Sequence, residues 1–143
     1  MTASRSALQA YNRARGAQPP LMLTVEVYDA ALTQVARAKA ARVANRRDEE
    51  FRFMTKATRI LSELDGCLNR RDERAQDMSK MLSRYYKQTI LQLHAALRTR
   101  GESAIDRYGS VHRQILIMRD AWARLAGLPP LMVSDIPKLP MVG

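Results

Sequence analysis

The sequence predicts an all-α protein: an antiparallel bundle of four long helices with a short N-terminal helix and an extended C-terminal tail. Three observations lead there. No proline occurs from Leu21 to Gly127, although the chain holds six, four of them in its last fifteen residues. That stretch is rich in Ala, Leu, Arg, Gln and Glu, all good helix formers. Apolar residues recur along it three and four apart, the helical period, and short polar connections separate the periodic segments.

Each element can be placed in turn. Residues 1–18 form an N-terminal segment with a short helix expected near Ala3–Ala14, broken at Gly16 and at Pro19-Pro20. Residues 19–127 form the bundle. Its first helix starts near Pro20, since proline is tolerated in a first turn, and runs to about Ala44. Leu21, Val25, Tyr28, Leu32 and Val35 make one apolar stripe, and Leu23, Val27, Ala30 and Ala31 make a second beside it. So wide an arc implies more than one neighbour. After Asn45-Arg46-Arg47, Asp48 is the expected N-cap of a second helix, with Glu49 and Glu50 favourable to the dipole of its first turn. Phe53, Met54, Ala57, Ile60, Leu61, Leu64 and Leu68 form its stripe, and Arg70-Arg71 close it. The third helix covers about Asp77–Thr99, with Met78, Met81, Leu82, Tyr85, Thr89, Leu93 and Leu97 inward and Tyr86 and Ile90 widening that face. Gly101 ends it. Ser103 is the expected cap of a fourth helix, about Ala104–Ala126, which carries Ile105, Tyr108, Ile115, Met118, Trp122 and Leu125. Gly109 is its weak point, and Gly127 with Pro129-Pro130 stops it. Residues 128–143 form a proline-punctuated apolar tail, where Pro137 and Pro140 forbid regular helix.

Composition bounds the function. A chain of 143 residues suits one domain. The net charge of +10 combines 24 basic with 14 acidic side chains, interleaved without a run of five like charges. This fits a solvated helical surface, and it also fits an acidic partner, a nucleic acid or an anionic membrane face. Cys67 is the only cysteine, so an intrachain disulfide is impossible and a reducing compartment is expected. The N-terminus lacks the apolar core of a signal peptide, and no stretch is long and apolar enough for a membrane span; a cytoplasmic protein is expected.

Chemistry-bearing patterns are absent. His94 and His112 stand singly, without a second ligand at metal spacing. Cys67 reads as a packed thiol beside the stripe of its helix. There is no phosphate-binding glycine loop, and neither metal nor cofactor is expected. One enzymatic alternative rests on Arg46, Arg47, Arg70 and Arg71 converging to bind an anionic substrate. A second alternative is a basic helical regulatory or nucleic-acid-binding protein. Dispersed cations and tyrosines in apolar stripes argue against it, so no nucleic acid is expected. The expected role is that of a non-enzymatic binding protein.

Several short motifs resemble the FliS family of flagellar export chaperones. Leu8-Gln9-Ala10-Tyr11 matches an N-terminal aliphatic residue three before a tyrosine. Pro19-Pro20 and the run Leu23-Thr24-Val25-Glu26-Val27-Tyr28-Asp29-Ala30-Ala31-Leu32 are similar to the start of the family's first long helix. Pro19 replaces a serine there, Thr24 an aliphatic residue and Glu26 a methionine. Lys56, Ile60, Glu63-Leu64 and Leu68 resemble its second long helix, Leu82-Ser83-Arg84-Tyr85-Tyr86 its tyrosine-bearing helix, and Arg119-Asp120-Ala121-Trp122 its closing Ala-Trp. The resemblance spans roughly residues 8–125.

It implies a chaperone, monomeric or homodimeric, that holds the disordered C-terminal region of flagellin in hydrophobic grooves. Such a chaperone prevents premature polymerisation and delivers its client to the flagellar type III export gate. The surplus apolar arc of the first helix makes Leu23, Val27, Tyr28 and Ala31 the candidates for client binding, with burial in the bundle's own core the alternative for each. The resemblance assigns export-gate docking to Leu8 and Tyr11. The tail or the N-terminal segment is expected to cover a groove when no client is bound.

Overall fold

The computed structural model describes residues 9–10 and 21–132. Four long helices make up the chain between Leu21 and Leu125: α1 (Leu21–Val43), α2 (Arg47–Gly66), α3 (Gln76–Arg98) and α4 (Ser103–Leu125), with a single 3₁₀ turn at Glu73–Ala75 before α3. Gln9 and Ala10 are helical; the rest of the expected N-terminal helix lies outside the described residues. In the bundle α1 packs beside α2 and α4, and α3 packs beside the same two.

The ends of the helices explain the short connections. At the end of α1, Asn45 takes a left-handed φ of 59°, which asparagine tolerates better than most residues. Arg46 N–H then donates to Ala41 C=O at 2.8 Å and Asn45 N–H to Arg42 C=O at 3.0 Å, the paired bonds of a Schellman turn. Gly127 does the same after α4, with φ 79°. Leu128 N–H reaches Ala123 C=O at 2.8 Å, and Gly127 N–H reaches Arg124 C=O at 3.1 Å.

Three expected boundaries move. Arg46, not Asp48, is the N-cap of α2 and makes no side-chain cap bond; Asp48, Glu49 and Glu50 lie inside the first turn and act on the dipole. Ser103 is likewise the first helical residue of α4, preceded by Glu102. Helix α2 stops at Gly66 instead of running to Arg71. Past it, Asn69 Oδ1 accepts from the N–H groups of Arg71 and Asp72, and Asp72 Oδ1 accepts from Arg74 N–H. Side chains that satisfy backbone donors in this way compete with helix. The early stop also corrects the reading of Cys67 as packed, since it lies exposed just beyond the helix.

The core follows the periodic stripes. Val25, Tyr28, Val35, Leu61, Leu93 and Ile115 are at most 1% exposed. Two inward assignments shift on α3. Tyr86 is buried while Tyr85 is half-buried, and Met81 is exposed, because the buried face runs through Ser79, Leu82, Tyr86, Thr89, Leu93 and Ala96.

Apolar contact joins neighbouring helices, and hydrogen bonds tie the diagonals. Tyr28 and Tyr86 share a hydroxyl–hydroxyl bond of 2.8 Å between α1 and α3. Tyr108 on α4 donates to Glu50 on α2. Burial raises the phenol pKa of Tyr28 well above its ordinary value, as do Tyr86 and Tyr85 beside it. Burial also raises Tyr108, helped by its bond to Glu50. A folded-state pKa above the unfolded one stabilises fully below the unfolded value and less as pH climbs past it. Stability should therefore fall once pH exceeds about 10, and phenolate absorbance and helical circular dichroism should change together. Tyrosine ionisation well before loss of helix would contradict this.

Candidate functional site

Of the four side chains expected to meet a partner, the structure turns two outward and two inward. Leu23 is 44% exposed and Val27 37%. With Ala30, also exposed, they follow one another at spacings of four and three and so occupy one strip of α1. Met22, 53% exposed, precedes them. Tyr28 and Ala31 are instead completely buried and out of reach of a partner on this bundle. The reason is angular. Tyr28 and Ala31 lie on the side of α1 that carries Val25, Leu32 and Val35, whereas Leu23 and Val27 lie past its edge. Leu8 and Tyr11 fall outside the described residues.

Tyr28 has an internal task. Its hydroxyl meets Tyr86, and its ring stands edge-on to Trp122 with centroids 6.5 Å apart. The next residue, Asp29, receives Arg119 Nε at 2.8 Å and Nη2 at 3.3 Å. Three short motifs, Tyr28-Asp29, Tyr85-Tyr86 and Arg119-Asp120-Ala121-Trp122, thus converge on one cluster although Asp29 and Arg119 lie 90 residues apart. Replacing Tyr28 with Phe keeps the ring and removes the shared hydrogen bond. It should destabilise the fold by about 1 kcal/mol in urea unfolding; an unchanged midpoint would show that the hydroxyl contributes nothing.

A second buried polar set lies at the other end of α1. Arg42, 8% exposed, donates Nε to Glu50 at 2.8 Å, while Glu50 is wholly buried. Its Nη1 and Nη2 reach the carbonyls of Thr99 and Leu97 at 2.8 and 3.0 Å, closing the C-terminal end of α3. Arg47 joins Glu50 at 2.9 Å and Leu97 C=O at 2.8 Å. Neither Arg42 nor Glu50 was expected in the interior. Their positions did carry a signal: Arg42 stands seven residues beyond Val35 and Glu50 four before Met54, each in phase with a buried stripe.

The four arginines of the enzymatic alternative do not converge. Arg46 and Arg47 engage Glu49 and Glu50 at the start of α2, and Arg70 engages Asp65 at 2.6 Å past its other end. That helix, of 20 residues, keeps the two groups about 30 Å apart. Among the described residues no three His, Cys, Asp or Glu side chains group as metal ligands, and no helix is long and apolar enough to cross a membrane.

The site is therefore an apolar strip on a helix whose opposite side, through Val25, Tyr28, Leu32 and Val35, is consumed by the core, in a strongly basic chain. No curated protein matches the chain. The family model for the flagellar protein FliS matches residues 3–128, most of the chain, and the protein belongs to the FliS family.

Proposed function

We propose that this protein is a cytoplasmic export chaperone that binds the disordered C-terminal region of flagellin, keeps it from polymerising and delivers it to the flagellar type III export gate. Membership of the FliS family supports a flagellar export-chaperone role. The observation that carries the finer reading is the exposed strip Leu23–Val27–Ala30, with Met22 beside it, on a helix already packed against two neighbours. An amphipathic client helix covers such a strip with its own apolar face. A net charge of +10 speeds encounter with an acidic client segment.

Leu8 and Tyr11 are proposed to dock the loaded chaperone on the export gate, as the family resemblance implies. Nucleic-acid binding is not favoured, because Tyr28, Tyr86, Tyr108 and Trp122 are buried and unavailable to stack on bases.

The test is calorimetry and size-exclusion chromatography with the C-terminal segment of flagellin from the same organism. One client per bundle, with a negative heat-capacity change from apolar burial, is the expected result. Absence of heat together with unchanged elution would reject the proposal.

A further inference from the structure

Helix α3 turns a cationic stripe away from the core. Lys80, Arg84 and Lys87 follow one another at spacings of four and three, and Leu91 comes four residues later. At about 100° per residue the four fall within about 60° of arc. The buried face through Leu82, Tyr86, Thr89 and Leu93 lies on the other side of the helix. All four side chains of the stripe are exposed, Leu91 by 65%.

The stripe lines a groove of about 560 Å³ that no carboxylate borders. Arg70, from the connection after α2, forms its wall. That guanidinium is held in place: it donates to Asp65 Oδ1 at 2.6 Å, to Asp65 C=O at 2.9 Å and, across to α3, to Ser83 Oγ at 3.3 Å. Among the described residues Lys80, Arg84 and Lys87 make no salt bridge. Asp77, three residues before Lys80, is the only carboxylate of α3 and pairs with none of them. Like charges three and four apart repel along a helix, and here nothing offsets the repulsion. On α2 the exposed Arg52, Lys56 and Arg59 repeat the same spacing in a different setting. Glu49 and Glu63 stand at the two ends of that row. Arg52 and Lys56 also lie over the Phe53 ring, at 5.3 and 5.9 Å from its centroid, where the ring's negative face attracts them. The α3 stripe has no such ring and no acid at its Lys87 end.

We propose that this groove binds an acidic amphipathic helix of a partner protein, with one carboxylate on each of Lys80, Arg84 and Lys87 and an apolar side chain on Leu91. Two antiparallel helices share the four-and-three repeat, so the three ion pairs and the apolar contact form together over about 16 Å, eleven residues at 1.5 Å rise. Charge selects the partner, and Leu91 at one end fixes its direction. A nucleic acid finds no aromatic side chain in this groove on which to stack a base. Helix α3 is diagonal to α1 in the bundle, so the groove is separate from the strip Leu23–Val27–Ala30, and the proposal stands whether or not flagellin is the client.

Fluorescence anisotropy with the full chain tests it. The probe is a labelled alanine-rich peptide of about 18 residues, long enough to form helix, with leucine followed by glutamates four, seven and eleven positions later. Lys80→Gln, Arg84→Gln and Lys87→Gln together should weaken its binding about tenfold, as expected for three exposed ion pairs. The matched triple Arg52→Gln, Lys56→Gln and Arg59→Gln removes the same charge at the same spacing and should weaken it less than about threefold. Glutamine is a good helix former and relieves the repulsion, so both variants keep the fold. A peptide of the same composition with its glutamates spread around the helix should bind about tenfold more weakly than the patterned probe. Equal losses from the two triples, or equal affinity for the two peptides, would reduce the groove to a solvated basic face and overturn the proposal. Tighter binding of a single-stranded oligonucleotide of equal charge, lost in the α3 triple, would overturn it in favour of nucleic acid.

Discussion

Replacing Leu23 and Val27 together with aspartate should weaken the proposed binding of the flagellin C-terminal segment by at least about 100-fold, close to 2.7 kcal/mol. Each side chain is roughly 40% exposed in the free bundle, so covering it removes about 1 kcal/mol of apolar exposure per residue. Aspartate forfeits that gain and adds a carboxylate that must lose water against an apolar client. Because both residues lie on the surface, the change in folding stability should stay within about 0.5 kcal/mol. Titration calorimetry with the flagellin segment, beside urea unfolding of the same variant, separates the two effects. Unchanged affinity would move the client site elsewhere on the bundle. Lost affinity with a collapsed urea midpoint would make the strip structural.

Arg42→Ala should cost about 3–5 kcal/mol of folding stability, the range for removing one partner of a buried ion pair. Against a total of about 5–15 kcal/mol, this brings the bundle near its limit. The effect is large because Arg42 does two things at once. It neutralises Glu50, which no water reaches, and it satisfies the last carbonyls of α3. Alanine leaves Glu50 to Tyr108 and to the half-exposed Arg47, leaves Leu97 C=O with its bond from Arg47 alone, and removes the side-chain donor from Thr99 C=O. In urea the midpoint should fall by on the order of 1–3 M. Pairing Arg42→Ala with Glu50→Gln should recover part of the loss, since a neutral amide tolerates burial better than an unpaired carboxylate. A single-variant cost under about 1 kcal/mol would mean that water enters the site and substitutes for the guanidinium.

Much of this protein is legible in the chain itself. The absence of proline from Leu21 to Gly127 and the three-and-four spacing of apolar residues determine four helices, and the breakers at Asn45, Gly101 and Gly127 limit their length. Local propensity and period decide these features, and they need no knowledge of neighbours. Neighbours alone decided the rest. A wide apolar arc on α1 does not say which edge the bundle covers. Packing against α2 and α4 buried Tyr28 and Ala31 and left Leu23 and Val27 outside, because burial depends on the angle at which other helices approach. Nor does a charged residue at a helix end announce that it turns inward. Arg42, Glu50, Arg119 and Asp120 are interior only because partners from distant segments meet them there and offset the cost of desolvating charge, and that meeting is a property of the folded chain.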